Sequence, residues 1–334
     1  MTGGEGVRRD GWKSGRMISR STFIAACAAL AVPFGSAAAS AQGGMPTVRV
    51  GGTPNDDMTP VIYAVRTGMF EKAGLNVVIE KSTNGSAAAI AVASGAYDIA
   101  KSSINSIFDA HEKGVPFTII TPAGIYDSKD RYGGFLIAAN SPIKTGKDVD
   151  GLTVGIASLG SIGKVAMAGW VDQHGGDAST LKFVEIPFTA VPAAIESGRI
   201  VAGETAHPVQ AEAVATGRFK LLPAYDSIGN RFVGAVFYTT STYSSAHPDV
   251  VKTFCRVFYE AAKYTNAHHE ATAKIMSDYS GVPFEVIAKM SRVTAGTELS
   301  PAMIQPTIDA AAKYGTLKKA FPAREIIDPN APAR

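Results

Sequence analysis

Short runs of β-branched and other apolar residues alternate along this chain with longer stretches whose apolar residues recur every three or four positions. The short runs are typical of buried strands and the longer stretches of amphipathic helices. In the first half, strands are predicted at 48–51, 77–80, 98–100 and 117–121, with helices near 60–72 and 86–94 and another after residue 100. In the second half, strands are predicted at 152–156, 181–186 and 200–203, with helices near 162–174 and 191–197. This alternation predicts an α/β fold with mostly parallel sheets.

The two halves share a stretch of sequence. Residues 86–95 align without gaps on residues 189–198, an offset of 103 positions. In both copies a hydroxyl residue begins the helix and Ser-Gly ends it, and each copy lies between the second and third strands of its own half. The shared residues are common ones, so a chance match is the alternative. We predict two lobes of similar topology.

After residue 240 the pattern changes to helices, predicted at 248–268, 271–279, 283–290 and 301–314. Without strands they cannot form a third sheet, so we expect them to pack on the first two lobes. The apolar segments 135–139 and 233–238 bracket the second lobe and are predicted to be crossover strands. Two crossings between two lobes form a hinge.

Composition and charge narrow the function classes. Of the 334 residues, 46% are hydrophobic and 18% charged, which requires a substantial core. Lys and Arg total 32 and Asp and Glu total 29, and the excess of cations lies within residues 1–41. The rest of the chain is balanced and has no long basic run, which argues against a nucleic-acid partner.

The N-terminal residues have the order of a secretory signal. A basic stretch ends at Arg20, an Ala-rich apolar run covers 22–39, and Ala39-Ser40-Ala41 offers a cleavage site. We expect residues 1–41 to be removed near Ala41 and the protein to be periplasmic, with Met17 as an alternative start. A membrane anchor and a lipid attached at Cys27 are the other interpretations. If Cys27 leaves with the signal, Cys255 remains as a core residue without a disulfide partner.

Several segments of the mature chain resemble one family. They are Gly51-Gly52-Thr53-Pro54, the stretch Gly-Met-Phe-Glu-Lys-Ala-Gly-Leu at 68–75, Val77-Val78-Ile79, and residues 93–100, with 143–152 matching the start of the second lobe. Together they resemble the substrate-binding proteins of bacterial ABC importers, of the alkanesulfonate, taurine, nitrate and pyrimidine-precursor type. The stretch at 68–75 is the most specific.

The resemblance implies a two-lobed type II periplasmic-binding-protein fold, in which each lobe is a mostly parallel sheet flanked by helices and two crossover strands form the hinge. Lobe 1 would comprise 46–136 and 240–330, and lobe 2 would comprise 137–239. A small ligand would bind between the lobes, and the protein, expected to be a monomer, would deliver it to a permease that works with an ATPase subunit. The ligand would be a small anionic or polar organic compound, such as a sulfonate or carboxylate, or a nitrate-like ion.

Polar residues follow four of the predicted strands. Ligands of open parallel sheets bind beyond the carboxyl ends of the strands, where helix N-termini present free N–H groups. The residues that the sequence places there are Thr53, Asn55, Gly85, Ser86, Ser102, Ser103, Ser158, Gly160 and Ser161. Such residues also cap helices without binding anything, so the prediction depends on the four loops lying at one cleft.

The offset of 103 also places Lys101 opposite Glu204 at equivalent strand ends. Either the two charges meet across the cleft or clasp a zwitterionic ligand, or each forms an ion pair within its own lobe. His207 is a further candidate, as a donor to an anion or as a half-exposed loop residue. Tyr63, Tyr126 and Tyr132 are candidates for stacking on an organic ligand, or for core positions.

The sequence offers little for catalysis. The six histidines lack zinc-ligand spacing, so no metal is expected. Residues 158–163 with Glu185 come close to a dinucleotide fingerprint, although Ser158 replaces its first glycine. An NAD-dependent enzyme is therefore one rival interpretation, and a ligand sensor that serves no permease is another. We expect a binding protein without cofactor or enzymatic activity.

Overall fold

Two five-stranded sheets organise residues 44–332, the part of the chain that the computed structural model describes. The predicted signal peptide, with Cys27 and Ala41, lies outside the described residues. The strands are β1 (Thr47–Gly52), β2 (Asn76–Lys81), β3 (Ile99–Ser103), β4 (Phe117–Asp127), β5 (Gly133–Ala138), β6 (Thr153–Ile156), β7 (Lys182–Glu185), β8 (Ala202–Ala206), β9 (Phe219–Leu222) and β10 (Arg231–Thr240).

Helices cover both sheets. They are α1 (Thr59–Arg66), α2 (Met69–Lys72), α3 (Gly85–Ala93), α4 (Ile104–Glu112), α5 (Ile162–Gln173), α6 (Val191–Glu196), α7 (Val209–Ala215), α8 (Ser241–Ala246), α9 (Pro248–Ala267), α10 (His269–Ser280), α11 (Phe284–Lys289) and α12 (Pro301–Lys313). Within residues 44–332, none of them combines the length and the apolar character needed to span a membrane.

The two sheets have the same topology. Their strand orders are β2-β1-β3-β10-β4 and β7-β6-β8-β5-β9. In each sheet four strands run in one direction, and one, β10 or β5, runs against them between its neighbours. The predicted α/β architecture of mostly parallel sheets is confirmed.

The internal repeat is visible in the element boundaries. Strand β8 begins and ends 103 residues after β3. The helix α3 has its counterpart, at the same offset, in a 3-10 turn (Phe188–Ala190) that continues into α6. Because the secondary-structure elements repeat at the same offset as the residues, the two halves share the same backbone topology.

Two local expectations differ from the structure. The single helix predicted at 60–72 is divided into α1 and α2, because Gly68 adopts a left-handed conformation with φ of 70°. Strand β9 and the helices α7 and α8 were not predicted, since each has seven residues or fewer and so offers too little apolar periodicity to detect.

The chain passes between the sheets twice. Of the segments predicted as crossover strands, 135–139 overlaps β5 and 233–238 lies within β10. Each of these strands pairs within a single sheet, β5 in the second and β10 in the first. The crossings themselves are the adjoining loops at 128–132 and 223–230. They contact each other there, because Asp226 accepts a hydrogen bond from Tyr126 Oη at 2.6 Å and pairs with Arg131 at 2.8 Å. The division into lobes at 46–136, 137–239 and 240–330 remains a prediction.

The helices after residue 240 return to the first sheet, as expected. The long helix α9 buries one apolar face, including Phe254 and Phe258, in the core of that sheet. Cys255 lies in the same core with Sγ 3.3 Å from the Ile120 carbonyl, and burial raises the pKa of its thiol. This placement fits a core residue and not a nucleophile.

A buried ion pair fixes the loop after β1 to the segment between α11 and α12. Arg292 lies 2.7 Å from Asp56, and both side chains are almost fully buried. Asp56 also accepts a hydrogen bond from the backbone N–H of Val293 at 2.7 Å. Since the loop after β1 borders the gap between the sheets, this pair positions one side of that gap.

We predict that Asp56→Asn lowers the free energy of unfolding by about 3–5 kcal/mol, because it leaves the Arg292 guanidinium buried without a counter-charge. Glu260→Gln, which breaks the exposed pair between Arg256 and Glu260, is the matched control and should cost less than about 1 kcal/mol. Urea denaturation measures both. Equal effects of the two substitutions would contradict the role assigned to the buried pair.

Candidate functional site

A cavity of about 740 Å³ lies between the two sheets and is lined by both of them. The loops that follow β1, β2 and β3 form one side, and those that follow β6, β7 and β8 form the other. These are the carboxyl ends of the parallel strands, where open α/β sheets bind ligands. The cavity is therefore in the predicted place.

On the first side, Lys101 is held by its own lobe. Its Nζ lies 2.9 Å from Asp57 Oδ1 and donates a hydrogen bond to Thr53 Oγ1 at 2.8 Å. Both charged side chains are about 95% or more buried. Burial raises the pKa of Asp57, although the nearby Lys101 ammonium acts in the opposite direction. The pair consequently leaves this side of the cavity with little net charge.

The same side also presents free hydrogen-bonding groups. The hydroxyls of Ser82 and Ser102 are buried and have no partner among the described residues. Asn84 caps α3 by accepting a hydrogen bond from the N–H of Ala87 at 2.9 Å. The N–H of Gly85, in the first turn, has no carbonyl partner within the helix. A polar ligand would find both donors and acceptors here.

On the second side, Glu204 is the central group. Its Oε2 accepts hydrogen bonds from the Ala157 N–H at 2.8 Å and from Ser161 Oγ at 2.7 Å, and its Oε1 accepts one from Tyr225 Oη at 2.7 Å. Burial raises the pKa of Glu204, and these hydrogen bonds act against that shift. Gly163 makes room for the carboxylate, since a Cβ there would lie 2.3–2.7 Å from its atoms.

The N-terminus of α5 is therefore already occupied. The carboxylate of Glu204 lies against its first turn, and the N–H of Ile162 donates to Ser103 Oγ at 2.9 Å. A dinucleotide would need these same groups for its pyrophosphate. The structure thus argues against the NAD interpretation of residues 158–163, because a second anion would meet Glu204 there.

Aromatic side chains complete the cavity, and the repeat distributes them unevenly. Phe188, Tyr132 and Tyr225 line it, as does Ile162. Phe188 is the counterpart of Gly85 at the offset of 103. At this pair of equivalent positions, one lobe therefore exposes bare backbone and the other presents a phenyl ring.

The two sides touch at one rim of the cavity. In addition to the bond between Ser103 and Ile162, Ser106 Oγ donates to the Gly160 carbonyl at 3.3 Å. These contacts join residues of different sheets across the gap. Ser103 and Gly160, which were predicted to bind ligand, each hydrogen-bond to the opposite lobe, and of the two only Ser103 also lines the cavity.

Most of the predicted site residues line the cavity. They are Thr53, Asn55, Gly85, Lys101, Ser102, Ser103, Ser158, Ser161 and Glu204, with Tyr132. Their role in binding remains a prediction.

Five predicted residues do not line the cavity: Tyr63, Ser86, Tyr126, Gly160 and His207. Tyr63 stacks on Tyr264 with ring centroids 4.6 Å apart, because its helix face packs on α9. Tyr126 is buried at the hinge, where it donates to Asp226. Ser86 is exposed outside the cavity.

His207 lies behind the cavity and joins the lobes through its backbone. Its N–H donates to the Tyr132 carbonyl at 2.8 Å, and its carbonyl accepts from the N–H of Asp56 at 3.0 Å. Its Nε2 is 3.1 Å from Ser291 Oγ. Burial lowers the pKa of His207 to about 4; the Asp56 carboxylate opposes this shift, and the charge of Arg292 adds to it. His207 is therefore buried and not half-exposed, and its side chain does not line the cavity, where an anion would bind.

Ser82, Phe188 and Tyr225 line the cavity but were not predicted. Phe188 could have been predicted from the repeat. The offset of 103 that relates Lys101 to Glu204 also relates Gly85, a predicted site residue, to Phe188. For Tyr225 no signal existed, because it reaches the cavity from a 3-10 turn (Ala224–Ser227) in the second crossing.

Of the two charged residues related by the repeat, Lys101 has an ion-pair partner in its own lobe and Glu204 does not. Lys101 pairs locally with Asp57, as the second hypothesis expected. Glu204 has no Lys, Arg or His within ion-pair distance among residues 44–332. Its partners are neutral donors. No group of three or more His, Cys, Asp or Glu side chains in this part of the chain is arranged to hold a metal ion.

Comparisons with known proteins agree with this geometry. The family model described as NMT1/THI5 like matches residues 55–272. No curated protein sequence matches the chain significantly.

Solved structures share the fold at low sequence identity. The alkanesulfonate-binding protein SsuA from Xanthomonas axonopodis pv. citri, bound to MOPS, has a TM-score of 0.72 and 16% identity, over 85% of this chain and 99% of that one. The periplasmic nitrate-binding protein NrtA from Synechocystis PCC 6803 has a TM-score of 0.74 and 14% identity, over 86% of both chains. The desulfurization enzyme DSZB has a TM-score of 0.59 and 14% identity, over 86% of this chain and 97% of that one. The predicted two-lobed periplasmic-binding-protein fold is confirmed.

The buried His207 predicts a pH dependence of stability. Its pKa is about 4 in the folded protein and about 6.5 when unfolded. Between these values the unfolded state binds more protons, so the free energy of unfolding falls by about 3 kcal/mol as the pH falls from 6.5 to 4. His207→Gln, whose amide can replace the bond to Ser291, should flatten this slope in urea denaturation. Parallel slopes for both proteins would contradict this assignment.

A second prediction concerns the pair of Lys101 and Asp57. Lys101→Met leaves a buried carboxylate without its counter-charge and should lower the free energy of unfolding at neutral pH by about 3–5 kcal/mol. The double variant Asp57→Asn with Lys101→Met should recover most of this loss. If the two substitutions are additive, Lys101 does not serve Asp57, and its charge is free for a ligand.

Proposed function

Because the chain belongs to the NMT1/THI5-like family, we propose that it is a solute-binding protein of an ABC importer, which captures a small polar organic compound in the cavity between its lobes. The observation that carries this proposal is that polar groups from both lobes line one cavity at the carboxyl ends of their strands. The cavity of about 740 Å³ has the size of a small-molecule site.

The proposal includes closure of the lobes on the solute. A solute favours the closed form only if it contacts both lobes, since binding to one lobe gives no preference between open and closed states. The contacts of Ser103 and Ser106 with α5 and its preceding loop provide interactions that exist only while the lobes are together. The paired crossings at the hinge give the chain a place to bend.

The proposed cellular role is supported by the family and not by the geometry. We propose that the protein is exported, that its leader is cleaved near Ala41, and that the closed, loaded form docks on a membrane permease driven by an ATPase. The structures to which the chain is similar include proteins described as periplasmic. A sensory protein that hands its ligand to a receptor would use the same cavity.

A thermal-shift screen tests the proposal, with sulfonates, carboxylates, nitrate, pyrimidines and amino acids as probes. We expect at least one solute to stabilise the protein, by about 2.7 kcal/mol at 100 times its Kd. Magnetic resonance spectra of the solute after incubation should show it unchanged.

Two tryptophan variants locate the binding. Thr83 is exposed at the cavity and Thr47 is exposed at the opposite end of β1. Thr83→Trp should weaken binding at least tenfold by filling the cavity, whereas Thr47→Trp should leave binding unchanged. Turnover of the solute, or equal binding by both variants, would contradict a binding function at this cavity.

A further inference from the structure

Three charged side chains are buried on the cavity wall, and their charges do not cancel. Asp57 and Lys101 form an ion pair at 2.9 Å. Glu204, with 2% of its surface exposed, has no cation within ion-pair distance among the described residues. The other charged residues on the wall, Lys81, Glu212 and Arg218, are exposed at the rim. With Glu204 ionised, the interior of the cavity has a net negative charge.

Burial raises the pKa of Glu204, and its hydrogen bonds oppose that shift by favouring the ionised form. Three donors, two hydroxyls and one backbone N–H, point to its oxygens within 2.8 Å. A carboxylate accepts such bonds at both oxygens, whereas a protonated carboxyl group would have to donate to one of these hydroxyls, which would then have to turn its own hydrogen elsewhere. Oε1 accepts a bond from Tyr225, and a carboxylate oxygen has acceptor capacity for a further donor.

The position of Glu204 also decides what lobe 2 can bind. A free helix N-terminus attracts anions, but at α5 this place is occupied by the protein's own carboxylate. An anionic group of a ligand near Glu204 would be repelled in a site with little water to screen the charges. A positively charged group placed there would supply the counter-charge that the protein lacks.

We infer that the ligand carries a protonated nitrogen, such as an ammonium, guanidinium or amidinium group, which binds against Glu204. The inference rests on the proposed solute-binding function and narrows its ligand to amine-bearing compounds. The opposite end of the cavity, with the Gly85 N–H and the hydroxyls of Ser82 and Ser102, accommodates the hydrogen-bond acceptors of the same molecule. Simple oxyanions are excluded as the principal ligand.

The test uses matched pairs of probes in which a hydroxyl replaces the amine, such as taurine and isethionate, or β-alanine and 3-hydroxypropionate. Larger amino acids and their hydroxy acids, and amines without an acid group, extend the panel. Calorimetry on the unmodified protein should give at least tenfold tighter binding for the amine member of each pair that binds. This comparison does not depend on any variant.

Two glutamine variants identify the group that is responsible. Glu204→Gln should abolish the tenfold preference for the amine. Glu185→Gln is the control, since Glu185 accepts a backbone N–H of the same β6–α5 loop, that of Leu159 at 2.7 Å, but lies outside the cavity. It should keep the preference.

The possible results separate this inference from the proposed function. Oxyanions that bind as tightly as their amine partners would overturn the inference and leave the solute-binding function standing. An amine preference that survives in Glu204→Gln would overturn the assignment to Glu204. A panel in which nothing binds would contradict the solute-binding function and the inference with it.

Discussion

The burial of charge within two equivalent strands is the constraint on which the rest of the site depends. The central strands β3 and β8 each carry an almost fully buried charged residue at their middle position, Lys101 in one and Glu204 in the other. Removing a charge from water is costly unless partners compensate. The surrounding loops are arranged accordingly, with Asp57 and Thr53 around Lys101 and with Ser161, Tyr225 and a backbone N–H around Glu204.

The repeat supplies a common frame, and the side chains make its two copies different. Both sheets have the same strand order, and α3 has its counterpart at the same offset in the second lobe. At equivalent positions, however, Gly85 in one lobe corresponds to Phe188 in the other, and Lys101, which is paired with Asp57, corresponds to Glu204, which has no ion-pair partner among residues 44–332. A symmetric frame thus forms a cavity with two chemically distinct ends, which suits a ligand that is itself polar at one end and cationic at another.

Much of the fold is predictable from the sequence, because the apolar pattern shows the alternation of strands and helices and the alignment of 86–95 on 189–198 shows the repeat. The strand ends bearing Lys101, Ser102 and Glu204 followed from that pattern, since parallel strands place their carboxyl ends together. The predictions that were wrong concerned the direction in which side chains point. Tyr63 and Tyr126 are aromatic residues near the cleft in sequence, but packing turns one toward α9 and the other into the hinge. The pairing of Asp57 with Lys101 and the approach of Tyr225 join residues far apart in the chain, and no local pattern reports such contacts.

The most direct measurement is a crystal structure of the protein with a bound solute. The account predicts that the solute lies between the lobes, with Gly85 and Ser102 on one side and Phe188 on the other, and with a nitrogen atom at hydrogen-bond distance from Glu204. A solute found outside this gap, or one that places an oxyanion against Glu204, would contradict it.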